Sequence, residues 1–231
     1  MIITYWSDYA CPYCYIGEAR LKKAIEELGK TGEIKLEMKA FQLDPGAPDK
    51  SNGTTLDRFA RKYGLSKGQA AAQIENISKL GREEGLDFKY ATTLFTNTMD
   101  AHRLTKFAYT KSLSIADRLI EELFKAYFCD NLELADREVL ITAALHAGLD
   151  RSETEDLLDS DRFFEEVRKD EMDAARNEIH AVPFFVVGDY GIPGALWTEQ
   201  MKEVIKKALK DEESRQILQG MSCGPDGCHV G

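Results

Sequence analysis

Cysteine is scarce in this sequence. There are five in 231 residues: a pair near the N-terminus, one mid-chain and a pair in the tail. Five clustered thiols are too few for a framework of structural disulfides. Basic residues are also short, with 30 lysines and arginines against 40 acidic residues and a net charge of −10. A nucleic-acid partner needs a basic footprint, so that class is excluded. The acidic excess reads as a surface that keeps the chain soluble. No apolar run approaches a membrane span, so no membrane partner is expected. The N-terminus also lacks a basic segment followed by a long apolar one. The expected location is therefore the cytoplasm, for a chain from which no leader has been removed. A glycine-rich phosphate loop and a Ser/His/Asp signature are both missing, so no nucleotide cofactor is expected.

What remains is an ordinary globular composition, 43% hydrophobic and 10% aromatic. The length suits one large domain or two interleaved ones. The informative stretch is Tyr5-Trp6-Ser7-Asp8-Tyr9-Ala10-Cys11-Pro12-Tyr13-Cys14-Tyr15. A short apolar strand, Ile2 to Trp6, runs into it. Leu21, Ala24, Ile25 and Leu28 follow at helical spacing, so Cys11-x-x-Cys14 falls where a strand hands over to a helix N-terminus. Pro12 suits the first helical turn, where its missing N–H has no partner in any case. Free N–H groups and the positive end of the helix dipole favour a thiolate at Cys11. Cys14, one turn further in and less exposed, is placed to attack Cys11 and release a mixed disulfide. The motif reads as a redox dithiol with Cys11 as nucleophile and Cys14 as resolving thiol. The alternative is a zinc half-site, or two unremarkable thiols.

Further along, Ile34 to Phe41 alternates apolar and polar and reads as a second strand with one covered face. Leu43-Asp44-Pro45-Gly46-Ala47-Pro48 ends it. From about Thr54 to Ile179 the pattern is helical almost throughout. Ser66-x-x-Gln69 is a capping box, Asn97 is placed to cap a helix through Leu104, and Ser114-x-x-Asp117 and Ser152-x-x-Glu155 open two more. Gly148 ends a helical segment, and Phe163 to Ile179 reads as another helix. Strand character returns in Val182-Pro183-Phe184-Phe185-Val186-Val187. A tight hairpin through Gly188-Asp189 to Tyr190-Gly191-Ile192 follows, then a helix carrying Met201, Val204, Ile205, Ala208 and Leu209. The order β-α-β, helical insertion, β-β-α predicts an α/β thioredoxin-like fold interrupted by a large all-helical domain. Its expected parts are residues 1–50, an insertion 51–179, a second part 180–210 and an extension 211–231.

Other residues carry weaker signals. Pro183 opens a central strand, where it forgoes a ladder hydrogen bond and so calls for a reason. In the tail, Cys223-Gly224-Pro225-Asp226-Gly227-Cys228-His229 contains turn chemistry that brings the two thiols together. A disulfide there closes too small a loop to add much stability. The pair is therefore read as a second redox couple exchanging electrons with Cys11/Cys14, with zinc ligation or an incidental role as alternatives. Cys129 and His102 read as buried packing residues rather than reactive ones.

Taken together, Tyr5 to Gly17, Asn97-Thr98-x-x-Ala101-His102-Arg103-Leu104 and Ala181 to Ala195 resemble the DsbA family, within it the FrnE-like subgroup, over about residues 1 to 210. The resemblance implies a thioredoxin fold with a helical insertion, Cys11 as attacking thiolate, and Pro183 as a cis-proline lying against the dithiol. A trans proline at a strand start is the alternative. Pro12, Tyr13 and Val182 are then the residues expected to meet substrate. A sister group similar in fold, the 2-hydroxychromene-2-carboxylate isomerases and kappa-class glutathione transferases, typically carries serine where this chain has Cys11.

The expected function is a cytoplasmic thiol–disulfide oxidoreductase or isomerase acting on protein disulfides and thiols. It needs no bound cofactor, and glutathione is a possible co-substrate, with glutathione or a reductase as electron partner. Two alternatives stand beside it. One is a glutathione-dependent isomerase or transferase of the 2-hydroxychromene-2-carboxylate type. The other is a zinc-binding interaction protein with Cys11, Cys14, Cys223 and Cys228 as ligands.

Overall fold

The computed structural model describes residues 1–220, the side chains of 216 and 218–220 excepted. The tail pair Cys223 and Cys228, with His229, lies outside the described residues. The first strand, β1 (Ile2–Ser7), is central to a four-stranded sheet. It pairs in parallel with β2 (Lys35–Ala40), placing Tyr5 opposite Met38. On its other side it pairs antiparallel with β3 (Phe184–Val187), placing Tyr5 opposite Phe185. β3 turns back into β4 (Tyr190–Pro193) through Gly188, whose φ of +60° suits a residue without a Cβ. Strands β1 and β2 are joined by α1 (Pro12–Glu27), as a parallel crossover requires.

Between β2 and β3 the chain forms α2 (Thr55–Tyr63), α3 (Lys67–Glu83), a 3-10 turn (Tyr90–Thr92), α4 (Met99–Lys111), α5 (Leu113–Phe128), α6 (Arg137–Ala147), α7 (Arg151–Leu158) and α8 (Phe164–Arg176). The long α9 (Thr198–Gly220) follows β4. The mixed α/β fold is thus a thioredoxin-like sheet with a run of helices inserted between its second and third strands.

Local chemistry accounts for the ends of these helices. The Ser66/Gln69 capping box is formed in both directions, and Gly148 closes α6 with φ +96°. Asn97 caps α4, its Oδ1 accepting from the Met99 N–H at 2.8 Å, although Thr98 occupies the N-cap position itself. Two expected caps shift. Ser112 rather than Ser114 caps α5, since Ser114 instead accepts from the Arg118 guanidinium at 2.7 Å. Asp150 rather than Ser152 caps α7, its carboxylate accepting from the Glu153 N–H and complementing the helix dipole. The helix expected from Phe163 begins one residue later, because Phe163 sits at φ +64°. It ends at Arg176, ahead of Glu178 at φ +56°. β3 likewise starts at Phe184, so Pro183 lies outside the ladder. Its missing N–H breaks no strand pair, while its carbonyl accepts from the Gly194 N–H at 2.8 Å.

Alternation along β1 splits the packing between the two sheet faces. Ile3 and Tyr5, with Met38, Phe185 and Val187, enter a large core shared with α1, α4, α5 and α9. Trp6 faces the other way, onto Ala174 and Ile179 beside Phe184 and Val186, and its indole N–H donates to the Asp170 carbonyl at 3.0 Å. The sheet and the inserted helices are fused by aromatics. Tyr15 of α1 stacks on Phe124 of α5 with centroids 4.9 Å apart and planes 5° from parallel, and Tyr9 reaches the same ring at 5.0 Å.

A buried ion pair adds a directional tie. Arg20 Nε donates to Glu84 Oε1 at 2.6 Å, Nη1 donates to the Ala195 carbonyl at 3.0 Å, and the guanidinium lies 3.7 Å over Trp197. One side chain thereby fixes α1 against the end of α3 and the segment after β4. Such a pair specifies an arrangement more than it stabilises one, since two charges had to be desolvated. Phe124 carries more of the stability. Phe124→Ala removes a fully buried ring from the junction of sheet and helices, with an expected loss of about 3–5 kcal/mol in a urea titration.

Candidate active site

Cys11 occupies the N-cap of α1 with extended backbone (φ −94°, ψ 114°), and Pro12 follows at the first helical position. The Cys11 N–H donates to the Asp8 carbonyl at 3.0 Å, closing the turn out of β1, and the Cys14 N–H donates to the Cys11 carbonyl at 3.1 Å. Both cysteines are free thiols and both are buried, Cys11 at 5% and Cys14 at 1% exposure. The difference expected between them is therefore small. Cys11 is covered because its Sγ donates to the Val182 carbonyl at 3.5 Å.

That contact joins two distant segments. The Val182–Pro183 peptide is cis, and the turn it forms faces the first turn of α1. Gly17 permits the approach: a Cβ there would stand 3.2 Å from Pro183 Cγ, Phe185 Cζ and Ala195 Cβ alike. A Cβ there would oblige these three side chains to give by a few tenths of an ångström.

Burial acts on the inner thiol. Burial pushes the Cys14 thiol well up from its ordinary value, and the adjacent Cys11 sulfur adds to the effect. The Ser7 hydroxyl and the Asp8 backbone act weakly the other way. Cys14 is thus a thiol at neutral pH. The Tyr13 hydroxyl is raised by burial and then by Cys11.

Asp8 is a residue the sequence reading did not single out. Its buried carboxylate accepts from Thr98 Oγ1 at 2.9 Å, the Ala10 N–H at 3.3 Å and the Leu43 N–H at 2.8 Å, and His102 Nε2 stands 3.5 Å away. Three donors on one carboxylate offset much of the cost of burying it. The Asn97–Leu104 motif is explained by the same network. Asn97 donates to the carbonyls of Pro45 and Ala47, Thr98 holds Asp8, and Arg103 donates to carbonyls at Leu157 and Arg162. Thr98 thereby supports the turn that carries Cys11, while Asn97 ties the start of α4 to the loop after β2 and Arg103 ties α4 to the end of α7 and the segment beyond it. His102 is buried against Tyr9, centroids 5.0 Å apart.

Cys11, Pro12, Tyr13 and Val182 come together on one side of a cavity of about 850 Å³. The opposite walls come from α2, α3 and the 3-10 turn, including Arg58, Phe59, Arg61, Lys62, Tyr63 and Tyr90. Pro183 faces a smaller hollow of about 400 Å³ with Arg20 and Trp197. Sequence reading missed the far wall. The signal available was Arg58, Arg61 and Lys62 at i, i+3 and i+4, one face of a short helix, with nothing to say what that face meets. Cys129 is buried at the C-cap of α5, away from the cavity lining, and burial raises its thiol. His146 is exposed and pairs with Glu122 at 3.0 Å. Among the described residues no cluster of three or more His, Cys, Asp or Glu side chains is arranged to hold a metal ion, and no helix is long and apolar enough to cross a membrane.

The sequence matches the DSBA-like thioredoxin domain family over residues 2–206, and the chain belongs to that family. It is 28% identical over 227 residues to the uncharacterized protein YwbO of Bacillus subtilis (strain 168), covering 93% of this chain and 98% of that one. Among solved structures it resembles a probable DsbA oxidoreductase from Streptomyces coelicolor. The TM-score is 0.83 at 31% identity, with 100% of this chain and 99% of the other covered. A 2-hydroxychromene-2-carboxylate isomerase shares the fold alone, with TM-score 0.65 and 16% identity over 96% of this chain and 100% of the other.

The raised Cys14 thiol predicts selective labelling. In the reduced protein at pH 7, iodoacetamide should modify Cys11 and leave Cys14 as a thiol, and Cys14 should label only well above the ordinary thiol range. Peptide mapping by mass spectrometry across pH 6–10 checks this, and equal labelling at pH 7 would contradict it.

Proposed function

We propose that this DSBA-like protein is a thiol–disulfide oxidoreductase whose working pair is Cys11 and Cys14. The observation that carries the reading is the unequal pair. Cys11 sits at a helix N-terminus on a cavity wall, and Cys14 lies behind it as a buried thiol. The Cys11 thiolate attacks one sulfur of a substrate disulfide, that bond breaks, and the other substrate sulfur leaves as a thiolate and takes up a proton. Cys14 then gives up its proton and attacks the Cys11 sulfur, expelling the second substrate thiolate and forming the Cys11–Cys14 disulfide. Two electrons have passed to the substrate, and an external thiol such as glutathione, or a reductase, returns them.

Val182 and Pro183 supply the surface on which a substrate chain is held against Cys11, with Pro12 and Tyr13 on the other side. In a cytoplasm whose glutathione pool is poised near about −220 mV or lower, the pair works mainly as a reductant or isomerase. Cys223 and Cys228 act as the second couple, relaying electrons to or from Cys11/Cys14.

Two substitutions test the mechanism. Cys11→Ser should reduce disulfide exchange to background, while Cys14→Ser should accumulate mixed disulfides that survive non-reducing electrophoresis. Full turnover by the Cys11→Ser protein would refute the assignment. Activity persisting in Cys14→Ala with glutathione present would move the reading to glutathione-dependent isomerase or transferase chemistry.

A further inference from the structure

The charge around the cavity runs against the charge of the chain. The protein carries −10 overall. Yet the cavity wall holds three permanent cations, Arg58, Arg61 and Lys62, and also His180, against a single carboxylate, Asp44. The three cations share one face of α2, whose N-cap is Thr54 and whose only acid, Asp57, is paired with Lys67 at 2.8 Å. Among the described residues none of the three cations forms an ion pair. A cationic face left unneutralised in an acidic protein, and turned onto the cavity that Cys11 borders, is a local field for anions.

Arg58 is the best defined of them. Its guanidinium carbon lies 3.6 Å over the Phe95 ring, which fixes its plane, and its inner Nη1 is buried with the Tyr127 hydroxyl beside the guanidinium. A guanidinium held in one plane is pre-organised to meet the two oxygens of a carboxylate. Arg58 and Cys11 are also within electrostatic reach of one hydroxyl. Tyr90 is raised by burial, lowered by Arg58 and raised again by Cys11. The same wall carries the aromatics Phe59, Tyr63, Tyr90 and Phe95, with Ile77 and Leu80 of α3 among its aliphatic residues and Gln73 and Asn76 among its polar ones. A volume of about 850 Å³ matches small-molecule sites, which hold an apolar body and fix it with a few polar groups.

We propose that this cavity is a substrate site for small carboxylate-bearing disulfides, with Arg58 anchoring the carboxylate and Arg61 and Lys62 steering it in. The proposal rests on the reading of Cys11 as the attacking thiol. The apolar body of the substrate lies on the aromatic wall, and its S–S bond faces Cys11. Attack forms the Cys11–substrate bond and releases one carboxylate-bearing thiolate. Cys14 gives up its proton and displaces the second, leaving the Cys11–Cys14 disulfide and a substrate reduced by two electrons.

Two aromatic disulfides of different charge test it on the reduced full-length chain: dianionic dithiobis(nitrobenzoate) and neutral dithiodipyridine. The readout is the ratio of their second-order rate constants, compared with the same ratio for free cysteine in the same buffer. The protein should exceed free cysteine by about tenfold, added KCl should shrink the excess, and Arg58→Met should lower the ratio by about tenfold. Lys62→Gln, an exposed position that does not threaten the fold, should lower it by about threefold. A second arm is independent of redox chemistry. Nitrobenzoate should bind the Cys11→Ser protein in calorimetry, and Arg58→Met in that background should abolish the heat. A ratio equal to that of free cysteine, or one unchanged in both variants, overturns the anion site while leaving the thiol chemistry intact. No reaction of Cys11 with the neutral disulfide overturns the thiol reading and the proposal with it.

Discussion

The site depends on the close approach between the start of α1 and the turn before β3, two segments some 170 residues apart in sequence. Gly17 eases it, because a Cβ there would meet Pro183, Phe185 and Ala195 at 3.2 Å, tighter than ordinary van der Waals contact. The approach then delivers Cys11 Sγ to the Val182 carbonyl and buries Cys14 behind it. Arg20, one turn further along the same helix, holds the geometry from the other side through Glu84, the Ala195 carbonyl and Trp197. These contacts set where the sulfur sits.

The inserted helices belong to the same body as the sheet. Tyr9 and Tyr15, on either side of the dithiol, pack into Phe124 and Phe128 of α5. From α4 and the turn before it, Thr98 and His102 reach Asp8 beneath the Cys11 turn. The carboxylate of Asp8 gathers the strand end, the loop at Leu43 and the α4 N-terminus onto one buried point. Losing it would leave the Ala10 N–H and the Thr98 hydroxyl buried without partners, each costing about 1–3 kcal/mol. The helices thus position the Cys11 turn from below and, through α2 and α3, wall the cavity in front of it.

Charge at the site is distributed against the chain's own balance. Most of the acidic excess lies elsewhere, while the α2 face toward Cys11 is basic and aromatic. Local sign therefore says more about what approaches Cys11 than the net charge does, since exposed charges are screened within about 8–10 Å at physiological salt.

The amino-acid sequence by itself determined the element order and the placing of Cys11 and Cys14 at a helix N-terminus. Cys11-Pro12-Tyr13-Cys14 stands between an alternating strand and a helical repeat, and a helix N-terminus is a local property that periodicity and one proline reveal. The Ser66 capping box, the Gly148 stop and the hairpin at Gly188 were legible for the same reason, since each is settled within a few residues. Where several cap residues competed over a short span, at Ser112 against Ser114 and at Asp150 against Ser152, local pattern did not rank them. The choice went to whichever side chain was free of other partners or better matched to the helix dipole. Only the tertiary structure decided what lies beneath and in front of Cys11. Asp8 carries no motif of its own, and becomes a hub because Leu43 and Thr98 arrive from distant segments. Arg58, Arg61 and Lys62 read as a solvated helix face until packing turns that face onto the cavity. Side-chain spacing encodes a face, but the partner of that face is fixed by long-range burial, which no window of the sequence contains.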